Sequence, residues 1–145
     1  MLCIEMIRQT SPNKVATTIR WILAIMFVMT GVMKLVVPAL AEAFSGQLIA
    51  SGLPLYTVSF WSVPFVEISV GVVMALGLYA RLAALVIIAI MTVATYVHIV
   101  VADPSLFPLQ PSEPIIPLGV IILCFYVIWK GAGAGSSDLI ASRKQ

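Results

Sequence analysis

Apolar residues fall into four long blocks, Trp21 to Val37, Thr57 to Leu78, Leu82 to Val101 and Ile115 to Trp129, with polar and charged residues collected between them. A hydrocarbon core of about 30 Å takes roughly 20 residues of helix, with about 17 as the lower limit. The first three blocks reach that length, and each predicts a transmembrane helix. The fourth is shorter than a full span. The pattern as a whole predicts an all-α protein, a single membrane domain built as a four-helix bundle.

The segments between the blocks have patterns of their own. Ala39 to Ser51 predicts a short amphipathic helix in the first outer loop, with Leu40, Ala41, Phe44, Leu48 and Ile49 on one side and Gly52 and Pro54 as stop signals. Tyr56, Phe60 and Trp61 cluster where the second block begins, suited to the headgroup region. Pro104, Pro108, Pro111, Pro114 and Pro117 are too closely spaced for a regular helix, so the second outer loop reads as an extended, polyproline-like cover. The short turn Tyr79-Ala80-Arg81 forces the second and third spans into an antiparallel hairpin. Gly131, Gly133 and Gly135 open a tail over 131–145 that reads as mobile and cytoplasmic.

Charge adds a direction to this picture. Arg8, Lys14 and Arg20 precede the first span, Arg81 lies in the hairpin turn, and Lys130, Arg143 and Lys144 follow the fourth. The two other loops hold no Lys or Arg, only Glu42, Asp103 and Glu113. By the positive-inside rule both termini face the cytoplasm of a cell's inner (plasma) membrane, which also requires the short fourth block to cross. Basic residues, an apolar run and Ala39-Leu40-Ala41 also fit a cleavable signal peptide. The length of the run and Lys34 late within it favour a retained span.

With 61% hydrophobic and 10% charged residues, the chain lacks the polar surface a soluble domain needs, so a lipid bilayer is its first partner. The net charge of +2 flanks the spans and forms no basic face, which gives nucleic acid no footing. Cys3 lies in the predicted cytoplasmic tail and Cys124 inside the fourth span, so they cannot easily meet, and neither sits in a Cys-x-x-Cys pair. A single histidine and no cysteine cluster leave no metal site, and the scattered methionines read as packing filler.

Three ionisable residues interrupt the apolar blocks: Lys34, Glu67 and His98. A charge at mid-membrane costs roughly 2.5–3.5 kcal/mol on insertion scales, so such residues face the bundle interior and mark function. Lys34 and His98 lie three residues from the ends of their spans, about 5 Å below the boundary, and Glu67 lies about 15 Å deep at 1.5 Å per residue. A lysine side chain bridges much of that difference, so all three are expected to meet in the outer half of the bundle as a ligand-binding site. The plainer readings are a snorkelling Lys34, an interfacial His98, and a Lys34–Glu67 pair that only fixes helix neighbours. Gly31 one turn before Lys34, and Gly71 and Ala75 on one stripe with Glu67, mark where helices pack closely.

The string Thr30-Gly31-Val32-Met33-Lys34-Leu35, the Glu67 to Gly71 stretch, Leu76-Gly77-Leu78-Tyr79-Ala80-Arg81-Leu82-Ala83-Ala84, His98 late in the third span and the Gly131 to Asp138 exit together resemble the DoxX family. The Pro-rich loop and the short fourth block depart from it. The resemblance implies a compact four-helix bundle in the bacterial inner membrane. It also implies a link to respiratory or oxidative-stress chemistry, since the family is named for a subunit of a thiosulfate:quinone oxidoreductase. The implied role is a membrane subunit or accessory protein, with a quinone as candidate ligand and a redox protein or a second copy of the chain as partner. A small-molecule transporter or membrane chaperone is the alternative use of the same site. An autonomous oxidoreductase fits least, because no haem pair, cysteine pair or nucleotide fingerprint is present.

Overall fold

The computed structural model describes residues 9–142. Cys3, Arg8, Arg143 and Lys144, which enter the reading of redox chemistry and topology, lie outside the described residues. The regular elements, all helical among these residues, are α1 (Lys14–Val36), α2 (Pro38–Ala50), α3 (Tyr56–Leu76), α4 (Ala80–Val100), a 3₁₀ turn (Pro104–Leu106), α5 (Ile115–Lys130) and α6 (Ser137–Ser142). The helices α1, α3 and α4 are long and apolar enough to cross a membrane, and α5, with 16 residues, is a shorter apolar helix.

Helix α1 starts seven residues before the expected boundary at Trp21. Asn13 caps it, its side-chain oxygen accepting from the amides of Val15 at 2.8 Å and Ala16 at 3.2 Å. Counting apolar residues measures the lipid-facing length, and the capped polar turn adds to it. At the other end, extended Val37 breaks the helix and Pro38 begins α2 at a position where its missing amide costs nothing. Helix α2 presents Leu40, Phe44 and Leu48 inward as expected. Ile49, however, is exposed and Gln47 turns in, because the bundle offers Gln47 a backbone carbonyl, that of Leu106, at 2.6 Å.

The core lies among α1, α3, α4 and α5. Leu23 and Phe27 meet Met74, Ala84, Ile87, Cys124 and Val127, all of them almost fully buried. The opposite faces carry Ile25, Val58, Phe65, Val72, Ile122 and Phe125 exposed, the surface a bilayer covers. Helix α1 packs chiefly on α3 and α4 on α5. The first pairing depends on two small residues. A Cβ on Gly71 would lie 2.9 Å from the Val28 amide nitrogen and 3.0 Å from the Ala24 carbonyl oxygen, backbone atoms that cannot rotate away. Gly71→Ala is therefore expected to push α1 and α3 apart and to destabilise by about 1–3 kcal/mol despite its better helix propensity. Denaturant unfolding in detergent micelles measures the loss; an unchanged midpoint would reject this account of the packing.

Helix α3 starts at Tyr56 and runs unbroken through Pro64. It ends at Gly77, whose φ of 61° suits glycine, and α4 starts after Tyr79, which holds a φ of 48°. The hairpin is expected from the sequence; what steadies it comes from far away. The Asp138 carboxylate accepts from the amides of Tyr79 and Ala80, both at 3.0 Å. Glycines at 131, 133 and 135 point in sequence to mobility, yet Ala132, Ser136 and Asp138 are buried here. The segment is tied to α1 and the turn: the Ala132 amide donates to the Thr10 hydroxyl, the Thr17 hydroxyl to the Ala134 carbonyl and the Asp138 amide to the Gly77 carbonyl.

Candidate functional site

Gly31 and Pro64 set the geometry at the other end of the bundle. A Cβ on Gly31 would lie 2.7 Å from the Pro64 carbonyl and 3.1 Å from the Glu67 Cβ, so the absence of one lets α1 lie directly on α3. One turn further along α1, Lys34 then reaches Glu67. Its Nζ donates to Oε1 at 2.6 Å and Oε2 at 2.7 Å. The Glu67 side chain is 4% exposed and that of Lys34 is 22% exposed, so the pair has one sealed and one partly open member.

Helix α2 folds over this pair. The Lys34 ammonium sits 4.7 Å from the centre of the Phe44 ring, a cation–π contact. Phe44 in turn stacks on Phe60 at 6.1 Å, Phe60 meets Tyr56 and Trp61, and the hydroxyls of Ser45 and Tyr56 are 2.8 Å apart. The aromatic cluster at the start of α3 thus fastens α2.

His98 comes from the last turn of α4. Its Nδ1–H donates to the Ala94 carbonyl at 2.8 Å, since a carbonyl can only accept. Its ring lies 4.5 Å from that of Phe107 at a 48° tilt. Phe107 belongs to the Pro-rich connection, which is no polyproline segment: Asp103 caps a 3₁₀ turn, accepting from the Ser105 amide and hydroxyl. Those bonds, the hydroxyl's first, hold the Asp103 carboxyl below the usual carboxylate range. Phe107 is buried with Val97 and Val101, where the sequence signalled only a loop.

Lys34, Glu67 and His98 all line one cavity of about 610 Å³, together with Phe44, Gln47, Met91, Ala94, Val97 and residues of α5 and the 3₁₀ connection. Drug-sized ligands occupy pockets of about 300–1,000 Å³. Among the described residues, Lys34 is the one lysine or arginine and Glu67 the one carboxylate in the lining, and their charges neutralise each other. Lys34 retains one N–H beyond the two it gives Glu67, and Gln47 retains its carbonyl oxygen. The arrangement can hold and orient a neutral, largely apolar molecule with one or two oxygens. Gln47 and residues 108–110 escape sequence reasoning as lining residues, because only the folding back of α2 and the connection brings them in.

Gly71 and Ala75 lie deeper along α3, away from the cavity lining, and Arg81 stands in the first turn of α4 at the Asp138 end. Residues 15–99, from α1 through nearly all of α4, match the model of the family described as DoxX. Comparisons with curated proteins and with solved structures give no match.

Proposed function

The chain belongs to the DoxX family, and from that premise we propose that it is the membrane subunit of a quinone-linked redox system, holding a quinone or quinol beside Lys34, Glu67 and His98. The observation that carries this reading is the cavity: roomy, apolar and of zero net charge, with polar groups gathered around a single ion pair. A charged substrate would leave its own charge uncompensated there, whereas a neutral ring with oxygens finds apolar walls for the ring and an ammonium for an oxygen. The electrons pass to or from a redox-protein partner, since the cavity holds no thiol pair. On the Lys and Arg distribution, the Arg20 end of the bundle lies in the cytoplasm of a bacterium and the cavity lies near the periplasmic face of its inner membrane.

Binding of 1,4-naphthoquinone to protein in lipid nanodiscs, followed by equilibrium dialysis against protein-free nanodiscs, tests the reading. One saturable site is expected, weakened at least about tenfold by Ala43→Trp, which fills the cavity from α2. Partitioning no greater than into lipid alone would end it. Uptake of a small solute into vesicles would instead favour the transporter use of the same space.

A further inference from the structure

With a neutral ring, His98 is placed to accept and has nothing to accept from. Its Nδ1–H is committed to Ala94, so in the neutral ring Nε2 carries a lone pair and no proton. That Nε2 is buried and has no hydrogen-bond partner. The whole residue is 8% exposed. Buried polar atoms are nearly always satisfied, and one left alone costs free energy until a partner arrives. No other side chain lining the cavity is in this state; Lys34, Glu67 and Gln47 all have protein partners.

The Phe107 ring packs against the His98 ring, and the connection that carries it supplies Pro108, Leu109 and Gln110 to the cavity lining. The connection is held to the bundle through the Gln47 to Leu106 carbonyl bond and by Leu106 lying over Gly46. Asp103, Pro104 and Ser105 of the connection are exposed.

Resting on the ring-binding reading above, we propose that His98 makes the site selective for a ligand whose ring bears a hydroxyl, the quinol form, over one whose oxygen has no proton to give. The hydroxyl donates to Nε2 as Phe107 moves aside, and the Lys34 ammonium meets an oxygen elsewhere on the ring. A carbonyl or ether oxygen at the same place would face the lone pair of Nε2 and leave both acceptors unpaired. His98 is thus a specificity-determining residue, and Phe107 the ring packed on it that the ligand's hydroxyl displaces.

The experiment uses 1-naphthol and 1-methoxynaphthalene, which share shape and apolar area and differ in the donor. Calorimetric titration into the full chain in nanodiscs is expected to show naphthol bound about tenfold tighter than its ether, the worth of one net hydrogen bond and one avoided desolvated acceptor. In His98→Phe the ratio falls to about one. In Phe107→Ala naphthol binds tighter while the ether changes little, a readout that stands even where His98→Phe does not fold. Equal affinity for the two compounds in the wild type overturns the inference and leaves the ring-binding reading intact. A preference that survives in His98→Phe overturns it too, by assigning the acceptor to another group. If neither compound binds above its partition into lipid, the ring-binding reading falls first and the inference with it.

Discussion

Glu67→Leu is expected to leave membrane insertion intact, destabilise the bundle by about 3 kcal/mol and abolish ligand binding. Insertion survives because leucine replaces a residue that the bilayer disfavours. Stability falls because the Lys34 ammonium keeps its place and loses its counter-charge. Breaking one partner of a buried ion pair costs about 3–5 kcal/mol. The lower end applies here, since the Lys34 side chain retains 22% of its exposure and the Phe44 ring still faces its Nζ. The double variant Lys34→Met/Glu67→Leu is expected to recover most of that loss, because two apolar side chains of similar volume replace a pair whose desolvation roughly offsets its attraction. Binding should not recover. Unfolding in detergent and dialysis with naphthoquinone on all three proteins separate architecture from function: a double variant that binds like the wild type would reduce the pair to a device for aligning α1 with α3.

The parts of the fold that could be read in advance are those with a local periodic signal. The hydropathy blocks mark α1, α3, α4 and α5, and the ionisable interruptions at Lys34, Glu67 and His98 all fall on a single cavity. Depth arithmetic along a helix of fixed rise is enough to bring Lys34 to Glu67. The remainder depends on contacts between residues far apart in sequence, for which no periodicity exists. Arg20 looks like a flanking topology charge, yet it is 1% exposed and donates through Nη1 to the carbonyls of Met74 and Ala75. Phe107 among five prolines looks like loop filler, and is buried against Val97, Val101 and His98 because the 3₁₀ turn at Pro104–Leu106 bends it inward. Gln47 reads as part of a polar face until Leu106 supplies a carbonyl. In each case a polar or aromatic group finds its partner across more than 50 residues, or beside a turn whose type the sequence leaves open.

Asp138→Ala is expected to cost about 3 kcal/mol and to loosen the α3–α4 hairpin, although the residue stands in a segment whose composition suggests no structure at all. Every helix end leaves backbone groups without partners, and next to lipid no water supplies them. At this hairpin the last carbonyls of α3 are met by Arg20 and by the Ser137 hydroxyl on Leu76, and the first amides of α4 by the Asp138 carboxylate. Hydrogen bonds to a charged acceptor contribute about 1.5–3 kcal/mol each, and an end cap is worth up to about 2 kcal/mol. Two such bonds shared with a cap give the stated loss rather than their full sum, since water can reach an opened turn. Asp138→Asn keeps one acceptor oxygen and should lose about half as much. The Arg20 guanidinium, whose charge is attracted to Asp138, loses that attraction in both variants, so Arg20→Met combined with Asp138→Ala should cost less than the two single losses added. Hydrogen exchange localises the effect: the amides of Tyr79 and Ala80 should exchange faster in Asp138→Ala while those of Lys34 and Glu67 keep their protection. An Asp138→Ala protein with wild-type unfolding and wild-type exchange at Tyr79 would show that the turn holds itself, and that the 131–142 segment rests on the bundle without fastening it.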